Sequence, residues 1–131
     1  MPGKTLDELE GVVWGEPTYD SHLVTTCHRL RTKPIDEFTI GDLRIMIGQE
    51  IGLPHLVPLA VAALEYDPLA EGDYYPGDLL ANVIEAREWL QANPELLVRV
   101  IRVTERAMTE LEDEDGDLQQ RFASFLARVR G

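Results

Sequence analysis

Apolar residues recur every three or four positions along nearly the whole chain, and proline and glycine interrupt that rhythm at intervals. A period near 3.6 gathers such residues on one side of a helix, whereas a half-buried strand needs strict alternation. The pattern predicts helices joined by short breaks. Leu23, Val24, Cys27 and Leu30 form the first stripe, with Asp20 as its expected N-cap. Thr39-Ile-Gly-Asp42 has the spacing of a capping box, with Asp in place of Glu. It opens a face of Ile40, Leu43, Met46, Ile47 and Ile51, which Gly52 is expected to stop. Pro54 suits the first turn of the next helix, whose stripe is Leu56, Leu59, Ala60, Ala63 and Leu64. Pro58 falls near that start, where a missing N–H costs least.

Residues 67–78 hold two prolines and two glycines, which forbids a regular helix there. Asp78 is the expected cap of a helix carrying Leu79, Val83, Ile84, Ala86 and Leu90. Asn93-Pro94-Glu95 reads as N-cap, first-turn proline and first-turn acid. Leu97, Val100, Ile101, Thr104, Met108 and Leu111 supply the stripe of that helix. Residues 112–117 form an acidic turn around Gly116, and the last helix turns Leu118, Phe122, Phe125, Leu126 and Val129 inward. This amounts to about six helices and no strand. The β-like run Val12-Val13-Trp14 is expected as an extended N-terminal segment packed on the bundle. With 131 residues, no linker and no repeat, residues 1–131 are expected to form one compact all-α domain.

Charge narrows the function. Asp and Glu number 24 against 12 Lys and Arg, a formal net charge of −12. That disfavours nucleic acid and anionic membranes, and favours a basic protein partner. No apolar run approaches the roughly 20 residues of a membrane span, and the first ten residues lack the apolar core of a signal peptide, so a cytoplasmic protein is expected. The single Cys27 excludes an internal disulfide.

Catalytic and metal motifs are absent from the sequence. Aligning Gly116 to the sixth position of a calcium loop puts Leu111 and Phe122 at ligand positions that must carry oxygen. Cys27 and His28 are adjacent, so on a helix they point about 100° apart. Cys27 also lies on the apolar stripe and reads as a buried structural residue. His22 and His28 are six apart, which is not a ligand spacing. No catalytic residue, metal or cofactor is therefore expected.

Between Arg44 and Arg87 there is no Lys or Arg, while the same stretch holds seven acids. Five of them, Glu65, Asp67, Glu71, Asp73 and Asp78, interleave with Tyr66, Tyr74 and Tyr75. Tyrosine offers apolar area with a hydroxyl and is frequent at binding hot spots. These eight residues are the candidate partner-binding set. The alternative is that the tyrosines anchor the loop to the core and the acids are solvated.

The chain also resembles the immunity proteins of bacterial contact-dependent growth inhibition (CDI) systems. The residues that carry the resemblance begin with Leu9-Glu10, Trp14-Gly15-Glu16, Ser21 and Cys27-His28-Arg29-Leu30-Arg31. They continue with Lys33-Pro34, Phe38-Thr39, the run 42–49, Ile51-Gly52-Leu53, the run 56–60 and the run 68–80. The likeness spans about Leu6 to Leu80, with Trp89 beyond it. It implies a cytoplasmic protein that binds and neutralises the cognate C-terminal toxin domain, often a nuclease with a cationic surface, as a monomer in a 1:1 complex. It also implies that motif residues build the fold, which favours Glu65, Tyr66 and Asp67 over Tyr74, Tyr75 and Asp78 as contacts. An acidic helical adaptor for another basic protein is the alternative, and a small carboxylate-using enzyme a further one.

Overall fold

Thr39 accepts a hydrogen bond from the Asp42 amide while the Asp42 carboxylate accepts from the Thr39 amide, both at 3.1 Å, so the sequence-predicted capping box forms. The computed structural model describes residues 3–15, 21–111 and 116–130. Among them the chain forms eight α-helices and no strand, an all-α fold. These are α1 (Leu6–Glu10), α2 (His22–Leu30), α3 (Ile40–Gly48), α4 (Leu53–Tyr66), α5 (Asp78–Glu85), α6 (Arg87–Gln91), α7 (Pro94–Glu110) and α8 (Gly116–Arg130), with a 3₁₀ turn at Ile35–Glu37. No helix is long and apolar enough to cross a membrane among the described residues.

Helix α5 is the hub. It packs on α3, α4, α6 and α8, and six of its eight residues are buried. A helix apolar on nearly every side belongs in the centre of a bundle. Helices α4 and α7 pack together, α7 continues onto α8, and α2 closes over α3. Leu56, Val57, Ala60, Val61 and Leu64 of α4 meet the fully buried Leu79, Leu80 and Phe122 in one core.

The element count exceeds six for two reasons. Helix α1 is too short to show a periodic stripe, and the helix expected from Asp78 through Leu90 breaks at Ala86, whose ψ of 38° leaves the helical region. Helix α3 also ends at Gly48 rather than at Gly52. Gly52 instead starts α4 from the left-handed region, at φ 66°. A Cβ there would lie 2.8 Å from the Leu6 side chain, so glycine permits α1 to dock. Pro54 sits in the first turn of α4 as expected, but Pro58 lies in the second turn and leaves the Pro54 carbonyl without its helical donor. Leu23 and Leu59 are exposed, whereas Val57 and Val61 take the inward positions. Ser21, not Asp20, accepts from the Val24 amide at the start of α2, and Asp20 lies outside the described residues. Asn93 precedes Pro94 as expected, yet its side chain donates back to the Trp89 carbonyl at 2.8 Å rather than capping α7.

The run Val12-Val13-Trp14 forms no strand and is largely exposed. It is fastened to the end of α2 by Arg31, which is only 1% exposed. Arg31 pairs with Asp7 at 2.7 Å and Glu10 at 2.6 Å, and its guanidinium lies 4.4 Å from the Trp14 ring. Cys27 is buried, as expected, and burial pushes its thiol pKa up. Of the acidic turn at 112–117, residues 112–115 lie outside the described residues, and Gly116 and Asp117 belong to the first turn of α8.

Candidate partner-binding surface

Helix α4 ends where Asp67 takes an extended conformation and Pro68 follows. The residue before proline is pushed out of the helical region, so the chain must leave the helix there. The Asp67 side chain accepts from the Leu69 amide at 3.2 Å, an Asx turn that starts the loop. Residues 67–77 then fold back until the Gly77 amide reaches the Leu69 carbonyl at 3.1 Å. An isolated antiparallel bridge joins Glu71 to Pro76.

Asp78 organises this loop from inside. Its carboxylate accepts from the Gly72 amide at 2.6 Å and the Tyr74 amide at 3.1 Å. It lies 3.7 Å from Nε of Arg44, a nitrogen that is buried without a hydrogen-bond partner. The N-cap position expected for Asp78 is taken by Gly77, at φ 92°, and Asp78 is the first residue of α5. Asp78 is 1% exposed, so its carboxylate is spent on loop amides and offers nothing to an external partner. Of the eight candidates it is the one buried within the fold.

The remaining candidates divide by what their charges already meet. Glu65 receives two hydrogen bonds from Arg99 of α7, at 2.6 and 2.9 Å, and its backbone carbonyl accepts from Arg106 at 2.8 Å. The Arg99 hydrogen bonds chiefly hold the Glu65 carboxyl below its ordinary range. Asp73 lies 3.5 Å from Arg44, whose guanidinium stacks 4.3 Å from the Tyr74 ring. Tyr75 accepts from Arg121 of α8 at 3.3 Å, and that arginine also lies 3.4 Å from Glu85. Asp67 and Glu71 are exposed and enter no ion pair among the described residues. Tyr66 is 91% exposed, Tyr74 71% and Tyr75 38%, so Tyr66 is no core prop and Tyr74 is braced by one face only.

Sequence reasoning missed the cations. The acidic stretch contains none of its own, but the fold brings Arg44, Arg99, Arg106 and Arg121 against it. No local signal marks these pairings, because the partners lie 29 to 46 residues apart in the chain. His22 lines a shallow cavity with Arg44, Asp73 and Tyr74 at the edge of this surface, and no group of three His, Cys, Asp or Glu suited to a metal occurs among the described residues. His28 instead packs edge-on against Trp14, with 5.0 Å between ring centroids.

A family model described as CDI immunity proteins matches residues 8–100, well over half of the chain. The chain belongs to the CDI immunity proteins. The match takes in the segment at 12–15, helices α2 to α6, the candidate loop and the first turns of α7. No curated protein and no solved structure matches this CDI immunity protein. The family carries the inference that the protein neutralises a toxin, and the surface just described gives that inference residues to test.

Proposed function

We propose that this CDI immunity protein acts in the cytoplasm by binding its cognate toxin domain one to one, and that the toxin presents a cationic surface to residues 65–75. Complex formation covers the toxin's active site or the surface that holds its substrate. The observation that carries this reading is the pairing of outward aromatics with outward acids. Tyr66 and Tyr74 project from the same stretch as the exposed Asp67, Glu71 and Asp73. The net charge of −12 supports it, since opposite fields steer encounter. A nuclease toxin suits such a partner, because holding nucleic acid requires cations.

The test uses the C-terminal domain of the cognate toxin, made catalytically inactive, in stopped-flow and surface-plasmon-resonance binding. Reversing Asp67, Glu71 and Asp73 to Lys should weaken binding by about two orders of magnitude or more, since like charges facing across a contact cost several kcal/mol. Raising salt from about 0.02 to 0.5 M should slow association of the wild type by about tenfold or more. Tyr66→Ala should raise the dissociation rate without lowering the melting temperature, because its side chain supports nothing inside the fold. Reversal of the acids at 112–115 and of Asp117 is the control. Equal losses from both sets would reduce the effect to net charge, and undiminished binding after reversal of the loop would place the contact elsewhere.

A further inference from the structure

Six of the twelve cations pair with a carboxylate among the described residues: Arg31, Lys33, Arg44, Arg99, Arg121 and Arg130. The other six, Lys4, Arg29, Arg87, Arg102, Arg106 and Arg128, enter no ion pair among the described residues. Two of these, Arg102 and Arg106, lie together on α7 beside the candidate surface. Together with Arg99 they follow helical spacing i, i+3 and i+7, which confines all three to an arc of about 60° on one face. That face is fixed against the end of α4. Arg99 grips the Glu65 carboxylate, Arg106 donates to the Glu65 carbonyl at 2.8 Å, and the charges of Arg102 and Arg106 reach that carboxylate only through space, without an ion pair. Arg102 is exposed and has no hydrogen-bond or ion-pair partner among the described residues. The next residue after Glu65 is Tyr66, at 91% exposure the most exposed large hydrophobic side chain described, and Val98, one turn before Arg102, is 46% exposed. Glu95 and Glu110 lie one turn beyond either end of the arginine row.

We propose that Tyr66, Arg102 and Arg106 form a second contact beside the acidic loop, which receives a carboxylate-bearing segment of the toxin. The inference rests on the toxin-binding reading above and refines it: the partner presents cations to residues 67–73 and acids to α7. Tyrosine and arginine are the residue types that dominate binding energy at protein interfaces, and arginine's planar fork pairs a carboxylate through two parallel hydrogen bonds. A nucleic acid does not fit the same row. Three arginines framed by Glu95 and Glu110, on a chain of net charge −12, give no continuous track for a phosphate backbone.

The sign of one substitution decides the matter. A uniformly cationic toxin would bind Arg102→Glu as well as or better than the wild type, since the change adds two negative charges. A carboxylate-bearing contact demands the reverse. In binding to the inactive toxin domain at about 0.15 M salt, Arg102→Glu should weaken affinity by about tenfold or more and Arg102→Ala by a smaller factor. Arg128→Glu, at an exposed arginine on α8 equally without an ion pair among the described residues, should leave affinity unchanged or slightly raised. Arg102 makes no hydrogen bond or ion pair among the described residues, so both variants should melt close to the wild type. Arg102→Gln, which removes the positive charge without adding a negative one, repeats the test if Arg102→Glu melts early, and should weaken affinity like Arg102→Ala. Wild-type or tighter binding by Arg102→Glu overturns the inference while leaving the acidic-loop contact standing, which reversal of Asp67, Glu71 and Asp73 reads in the same assay. Failure of the wild type to bind overturns both.

Discussion

Removing the Asp78 carboxylate tests the loop's architecture most directly. Asp78→Ala strands the Gly72 and Tyr74 amides and deprives Arg44 of the charge 3.7 Å from its buried Nε. Each buried donor left unsatisfied costs about 1–3 kcal/mol. Breaking a buried ion pair by deleting one partner costs about 3–5 kcal/mol. Arg44 keeps Asp73 as a second, 62% exposed partner, which moderates the loss. We expect about 3–4 kcal/mol for Asp78→Ala, and roughly half of that for Asp78→Asn, which keeps the shape and one acceptor. For a chain of this size about 3–5 °C accompanies each kcal/mol, so the alanine variant should melt about 10–15 °C lower. Thermal and urea denaturation measure the total, and hydrogen exchange localises it, with protection at Gly72 and Tyr74 falling first. A variant within about 1 kcal/mol of the wild type, or one whose Gly72 and Tyr74 amides stay protected, would refute the argument that this carboxylate builds the loop.

Two further outcomes follow from a buried and a half-buried group outside the loop. Cys27→Ala should cost about 1 kcal/mol with toxin protection retained, and native Cys27 should resist alkylation at neutral pH that proceeds readily in urea, because burial keeps the thiol protonated. Burial raises the Asp42 pKa, but the Lys33 hydrogen bond at 2.7 Å and the Thr39 amide outweigh it, so the folded value lies below the ordinary carboxylate value of about 3.9. A lowered folded pKa means stability present above the unfolded value and lost as pH falls through the folded one. Asp42→Asn should therefore be less stable than the wild type at neutral pH, and the gap should close as urea titrations move below about pH 4; a gap constant from pH 7 to pH 2 would contradict the assignment.

The placement of the acids shows how far sequence reaches. Glu65, Asp67, Glu71, Asp73 and Asp78 look alike as a string, and a loop was expected where they fall. Their fates differ entirely in space: Asp78 is sealed inside, Glu65 is gripped by Arg99, and Asp67 and Glu71 stay outside any ion pair described. Tyr74, discounted as a motif residue, is 71% exposed, while Tyr75 is partly covered and bonded to Arg121.

What the sequence determined by itself is what local geometry governs. Thr39 and Asp42 cap α3 because their side chains reach amides three residues away. Pro54 and Pro94 sit in first turns because that is where a missing N–H is free, and the spacing of apolar residues sets the helical class. Tertiary structure alone decided where Leu23 and Leu59 face, that the helix breaks at Ala86, and which cations meet the acidic stretch. Helical spacing assigns a residue to a face but not to a neighbour. Only packing brings Arg99 to Glu65 across 34 residues of chain and Arg121 to Tyr75 across 46, and only there is each charge either satisfied or left for a partner.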